Sequence, residues 1–204
     1  QTLLLGAEAQ LYPGRIDECG KIVAERCAMA GWFNVATLRA PYRTAGKKTM
    51  GLELAEQMDW TLPDWIFYPT GGGTGLIGMW KAFQELQAIG WLQGRMPKMV
   101  ACQSEGCAPI VKAFETGLRF AKRFPDPQTV ASGLNVPSAL GDFLILDALR
   151  DSEGEAVACP DSVIPTWMRE ASAQEGVSIC PETAICLAAV EKLKSEGKIK
   201  NRDR

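Results

Sequence analysis

The chain has 204 residues, of which 47% are hydrophobic and 23% charged, the composition of an ordinary protein with a real core rather than of a disordered segment. Its formal net charge of -2, with basic residues scattered along the chain, argues against binding to nucleic acid or to an anionic membrane surface. No apolar run approaches the roughly 20 residues that a membrane-spanning helix needs, so no membrane span is predicted.

Short apolar segments alternate with helical stretches along the chain. In chain order, the predicted strand and helix pairs are residues 9–12 and 16–29, 33–38 and 49–58, 65–68 and 76–89, 99–102 and 110–115, and 156–159 and 161–174, followed by a last helix over 181–196. This alternation predicts parallel βαβ units, and therefore an α/β fold with helices on both faces of the sheet. Residues 119–128, with two prolines and mixed charges, are predicted to form a surface loop.

The chain contains seven cysteines and no histidine. The odd number of cysteines and the length of the chain favour reduced, buried thiols over a disulfide framework. Cys102 and Cys107 come nearest to a metal-binding spacing, but without a second pair they do not predict a metal site. Without histidine, the chemistry must depend on lysine, carboxylates, hydroxyls or a cofactor.

The segment over residues 65–83 reads as a strand, a glycine loop and a helix. Gly71, Gly72 and Gly73 have no Cβ atoms, so their consecutive N–H groups can converge on one anion. The helix that follows begins with unpaired N–H groups and the positive end of its dipole. The sequence therefore predicts a phosphate cradle, with the hydroxyls of Thr70 and Thr74 as additional donors.

Two familiar phosphate motifs do not match this loop. A Walker A loop requires a lysine where Gly75 and Leu76 stand, and a dinucleotide fingerprint requires a third glycine at position 76. A single phosphate monoester remains as the predicted ligand. A tight glycine turn without a ligand is the alternative that the local sequence leaves open.

The sequence of residues 69–75, Pro-Thr-Gly-Gly-Gly-Thr-Gly, resembles the phosphate-binding loop of fold-type II pyridoxal-phosphate enzymes, and its surroundings resemble threonine synthases along nearly the whole chain. Four further segments carry this resemblance in the same order: residues 40–49, 103–109, 132–137 and 180–184. It implies the three-layer, parallel-sheet α/β fold of the tryptophan synthase β-like enzymes, incomplete at both ends. Residues 1–42 would be the remainder of the small domain and the crossover, and residues 43–204 the large domain that binds the cofactor phosphate.

The implied cofactor is pyridoxal 5'-phosphate. The residues expected to bind it are Thr70, Gly71, Gly72, Gly73, Thr74 and Gly75. The family's Schiff-base lysine, the asparagine that contacts the pyridine hydroxyl, and the Thr or Ser that faces the pyridine nitrogen have no matching positions here. No catalytic residue is therefore assigned, and we expect an incompletely represented enzyme that is inactive alone. Lys47, Lys48 and Lys81 are interpreted as solvated surface residues rather than as the Schiff-base lysine.

Arg43 is the expected substrate-binding residue, because the resemblance places it toward the phosphate of O-phosphohomoserine and a guanidinium offers paired donors. An interdomain salt bridge is its alternative role. The chain departs from the family pattern at Ala40, where asparagine is usual, and at Thr37 and Leu38, where some members carry further phosphate contacts. Two acidic residues, Glu105 and Glu182, are candidates for the pocket floor or for ordinary complementation of a helix dipole.

The resemblance implies the conversion of O-phospho-L-homoserine and water to L-threonine and phosphate. A threonine or serine dehydratase, or another β-eliminating ammonia-lyase of the same fold, is one alternative, and a pseudoenzyme without the active lysine is another. The expected partner is a small phosphorylated amino acid. A cytoplasmic homodimer is expected for the full-length protein, without nucleic-acid or membrane partners.

Overall fold

The computed structural model describes residues 1–204. Its strands are β1 (Trp65–Pro69), β2 (Lys98–Ser104) and β3 (Glu155–Cys159). Its α-helices are α1 (Ile16–Ala30), α2 (Pro41–Gln57), α3 (Thr74–Ala88), α4 (Pro109–Glu115), α5 (Asp142–Asp151), α6 (Ile164–Glu175) and α7 (Pro181–Ser195). Short 3-10 turns cover Leu3–Leu5, Ser132–Leu134 and Asp161–Val163. None of the helices combines the length and the hydropathy needed to cross a membrane.

The three strands form one parallel sheet in the order β1-β2-β3. Side chains of β2 alternate between two apolar cores, because successive residues of a strand point to opposite faces. Met99 and Ala101 belong to the core shared with α3 and α5, whereas Val100 and Cys102 belong to the core shared with α7. The predicted parallel α/β fold with helices on both faces is therefore confirmed.

Helix α3 lies between the sheet and α2, and this position explains why nine of its residues are buried. Two glycines let α2 approach it closely. A Cβ on Gly78 would lie 2.8 Å from the Cβ of Lys47, and a Cβ on Gly51 would lie 3.1 Å from the Cα of Met79. Contacts that advance along both helices in the same direction mean that α2 and α3 run parallel.

Two predicted strands are wrong. Residues 9–12 and 33–38 contain no strand, and Leu11, Phe33 and Val35 are exposed. A strand needs a backbone partner, and in this chain neither segment has a neighbouring strand to pair with. Helix α2 begins at Pro41 rather than at residue 49, because Pro41 suits the first helical position. Helix α5 was not predicted, and the predicted loop over 119–128 is confirmed.

The first 39 residues contribute no buried side chain. Helix α1 instead contacts the rest of the chain through polar groups of its first turn. Asp17 pairs with Arg123 at 3.0 Å, and the Arg15 guanidinium donates to the carbonyl of Pro127 at 3.0 Å. This end of the chain is thus attached to the sheet domain by ionic and hydrogen-bonded contacts rather than by a shared core.

Candidate functional site

The carboxyl ends of the three strands lie at the same edge of the sheet, where open α/β folds bind their ligands. Strand β1 leads into the glycine loop, β2 into the loop before α4, and β3 into the turn that begins at Asp161. The turn Ser132–Leu134 lies against the first of these, because the carbonyl of Gly133 faces Gly71. The glycine loop is therefore at the edge predicted from the order of strand, glycines and helix.

The glycine loop offers a run of unused donors. Thr70 N–H still belongs to the sheet, since it donates to the carbonyl of Cys102 at 2.8 Å. None of the six successive N–H groups from Gly71 to Leu76 has an acceptor in the chain, and the next bond of α3 runs from Ile77 to Gly73. Six unpaired donors at the positive end of a helix dipole form an anion site.

The glycines of the loop have different steric surroundings. A Cβ on Gly71 would lie 2.2 Å from the carbonyl oxygen of Gly133, and one on Gly75 would lie 1.9 Å from the Tyr68 hydroxyl. A Cβ on Gly72 would meet nothing nearer than the methyl group of Thr37, at 3.7 Å. Gly71 and Gly75 are thus needed for packing, while Gly72 borders open space. A phosphate group fits this open, donor-lined side of the loop.

The two threonines of the loop differ in the same way. The Thr70 side chain is fully buried, and its hydroxyl donates to the carbonyl of Tyr68 at 2.8 Å. Both donors of Thr70 are therefore used inside the protein, which departs from the expectation that its hydroxyl is an extra donor to the anion. Thr74 is half-buried, and its hydroxyl has no hydrogen-bond partner in the chain.

Two side chains that the sequence analysis did not single out organise this edge. Gln103, at the end of β2, bonds both the glycine loop and the start of α4. Asp161 accepts hydrogen bonds from the hydroxyls of Ser104, at 2.6 Å, and Thr129, at 2.9 Å, and from the N–H of Val130, at 2.8 Å. The only sequence signal for either is a polar residue directly after an apolar strand.

Arg43 lies in the first turn of α2. Because α2 runs parallel to α3 with Lys47 level with Gly78, Arg43 stands four residues earlier, about level with Thr74. The arginine is exposed, and its guanidinium donates to the carbonyl of Val35 at 3.4 Å. Its position is thus at the same end of the helix pair as the glycine loop, and no carboxylate pairs with it.

The two acidic candidates have different environments. Glu182, in the first turn of α7, accepts the N–H of Gly133 at 2.8 Å. Burial opposes its ionisation, but hydrogen bonds from the N–H groups of Gly133 and of Glu182 itself outweigh burial, so the pKa of Glu182 is lowered. Glu105 is exposed and its carboxylate has no partner. Glu182 therefore supports the loop that faces Gly71.

The three lysines considered above lie outside the loop. Lys48 pairs with Glu85 across the α2–α3 interface, and Lys47 and Lys81 are exposed. Their environments agree with solvated surface roles.

The sequence was compared with known families and proteins. A family model described as "Pyridoxal-phosphate dependent enzyme" matches residues 1–204. A threonine synthase of Methanosarcina acetivorans is 31% identical over 98% of this chain and 49% of its own length, and that of Methanocaldococcus jannaschii is 28% identical over 100% and 50%. The chain thus spans about half the length of the curated relatives that it matches.

Solved structures share the fold. A bacterial threonine deaminase, from T.th., superposes with a TM-score of 0.73 at 21% identity, covering 94% of this chain and 59% of its own. Maize serine racemase gives a TM-score of 0.74 at 20% identity, covering 96% and 58%. At these identities the likeness concerns the fold alone.

Proposed function

The chain belongs to the pyridoxal-phosphate dependent enzyme family, and from that premise we propose that it is part of a threonine synthase. The reaction would convert O-phospho-L-homoserine and water to L-threonine and phosphate. Support comes from curated relatives named threonine synthase, which match along nearly the whole chain at 24–31% identity. Because the chain spans about half of those relatives, the activity is proposed for the longer protein.

The observation that carries the proposal is the run of unpaired donors beside Gly72. We infer that the N–H groups from Gly71 to Leu76 and the Thr74 hydroxyl hold the phosphate of pyridoxal phosphate. Thr70 belongs to this site as its buried base, since its own donors are used elsewhere. When bound, the cofactor supplies an electron sink for carbanions formed on the substrate. This chain's residues would anchor it and fix its position.

The substrate would bring a second phosphate. Arg43, at the start of α2, is the proposed ligand for it, because its guanidinium is exposed, unpaired with any carboxylate and level with the glycine loop. The half-buried Thr37, whose methyl group borders Gly72, lies between the two proposed anion positions along the chain. A hydroxy-amino acid has no phosphate for Arg43 to hold, so this residue distinguishes a synthase from a dehydratase.

The test uses the full-length protein loaded with pyridoxal phosphate. We expect phosphate and threonine to form from O-phosphohomoserine, and Arg43→Ala to lower kcat/KM for that substrate by about ten- to hundredfold, the loss of one charge-assisted interaction. Lys81→Ala, an exposed charge on the outer side of α3, is the matched control and should leave kcat/KM unchanged.

The other outcomes are equally informative. Ammonia released from L-threonine or L-serine, with no phosphate from O-phosphohomoserine, would identify a dehydratase instead. A full-length protein that turns over none of these substrates would identify a pseudoenzyme.

A further inference from the structure

Gln103 is a fully buried polar side chain at the carboxyl end of the central strand β2. We propose that it is a positioning residue that aims the donors of the glycine loop at the cofactor phosphate. The inference rests on the proposed role of that loop. A buried amide is costly unless each of its polar groups is paired, so its partners indicate what it does.

Every partner of Gln103 lies at the start of a binding or helical segment. Its Nε2 donates to the carbonyl oxygen of Thr70 at 2.9 Å. Its Oε1 accepts from the N–H groups of Ile110, at 2.9 Å, and Val111, at 3.2 Å, in the first turn of α4. Because the oxygen is engaged by α4, the amide nitrogen must face Thr70.

The bond to Thr70 controls the next peptide unit. The carbonyl of Thr70 and the N–H of Gly71 belong to one planar trans peptide, in which they point in opposite directions. Anchoring the carbonyl on Gln103 therefore directs the Gly71 N–H, the first of the six unpaired donors, away from the sheet. The other two bonds of Thr70, from its N–H and its hydroxyl, leave that peptide plane free to rotate.

A purely structural role is the competing explanation, because Gln103 also caps α4. The two roles differ in the ligand that they affect. A loop-positioning role changes the binding of the phosphate group, whereas a general loss of stability weakens the binding of any ligand of the fold. The ratio of the affinities for pyridoxal phosphate and for pyridoxal, which lacks the phosphate, separates them.

The test measures both affinities by titration of the full-length protein in wild type, Gln103→Met and Ser152→Ala, together with the midpoint of thermal unfolding without ligand. Methionine keeps the approximate size of glutamine and adds no charge. Ser152 is the matched control: it is a buried polar residue that bonds Met99 N–H and Leu149 at the amino end of β2, away from the glycine loop.

We expect Gln103→Met to lower the affinity for pyridoxal phosphate by about ten- to hundredfold, the loss of one charge-assisted hydrogen bond, and to change that for pyridoxal by no more than about twofold. Ser152→Ala should leave the ratio of the two affinities unchanged. If Gln103→Met does not fold, Gln103→Glu keeps an acceptor for α4 and removes the donor to Thr70, and its ratio should fall as well.

An unchanged ratio in the Gln103 variants, in a wild type that prefers pyridoxal phosphate, would overturn this inference alone. A shift of the ratio in Ser152→Ala equal to that in Gln103→Met would overturn it too, because any buried polar residue would then have the same effect. A wild type that binds both ligands equally would show that the glycine loop does not hold the phosphate, and the cofactor site itself would fail.

Discussion

Gly71 and Gly72 are adjacent, yet they are glycine for different reasons. A side chain at position 71 would strike the backbone of Gly133, whereas a side chain at position 72 would enter the open side of the loop. The first glycine is required by folding and the second, in our proposal, by the ligand. One variant at each position can therefore separate the two requirements.

Gly72→Val should fold normally and bind pyridoxal phosphate at least tenfold more weakly than wild type. The valine branches would occupy the space of the phosphate oxygens, and one lost charge-assisted bond costs about 1.5 to 3 kcal/mol. Titration of the full-length protein measures this loss, with Gly20→Val in α1, where a Cβ meets nothing within 4 Å, as the control. Equal affinities in wild type and Gly72→Val would mean that the loop is only a turn.

At the residue scale, the sequence identified what depends on local chemistry. Three glycines between a strand and a helix are sufficient to predict the donor run, because that property belongs to consecutive backbone groups. The roles of Thr70 and Gln103 could not be predicted, since each depends on a partner brought close by the sheet. The Thr70 hydroxyl bonds Tyr68, and the Gln103 amide spans two loops.

The same division holds for whole elements. Strands β1 to β3 and helix α3 were predicted because they are apolar enough for burial on two sides. Residues 9–12 and 33–38 have similar apolar patterns but remain exposed, so pattern alone cannot distinguish a strand from a segment without a pairing partner. The connection between α7 and the turn Ser132–Leu134 likewise appears only in three dimensions.

That connection makes a prediction about pH. Since the pKa of Glu182 is lowered in the folded protein, its stabilising effect is fully present above its ordinary value of 4.5 and is lost as the pH falls through the folded value. Glu182→Gln should therefore reduce the free energy of unfolding by about 1 kcal/mol near neutral pH, the typical net value of one hydrogen bond.

Urea denaturation of wild type and variant between pH 7 and pH 3 measures this difference, which should shrink below pH 4.5 as the wild-type carboxylate is protonated. Glu105→Gln is the control, because the Glu105 carboxylate is exposed and has no partner. A difference independent of pH would show that the charge of Glu182 does not support the turn.

At the scale of the whole molecule, the apolar surface is distributed unevenly. Twelve of the large apolar side chains that are exposed lie in residues 1–42: Leu3, Leu4, Leu5, Leu11, Tyr12, Ile16, Val23, Met29, Trp32, Phe33, Val35 and Tyr42. Since the chain spans about half of its curated relatives, we propose that further residues of the longer protein cover this surface. Residues 1–42 would then be part of a small domain, as the resemblance implies, and 43–204 the large one.

This proposal predicts a difference in amide hydrogen exchange between the 204-residue chain and the full-length protein. A 15-residue helix with no buried side chain is marginal in water, so the amides of α1 should exchange rapidly in the shorter chain. In the full-length protein, burial of its apolar side chains should slow that exchange by at least tenfold. Mass spectrometry of peptides from α1 measures both rates, and peptides from the buried helix α3 serve as the reference that both chains are folded. Equal exchange of α1 in two folded chains would mean that nothing in the longer protein covers this surface, and the proposed division into domains would be wrong.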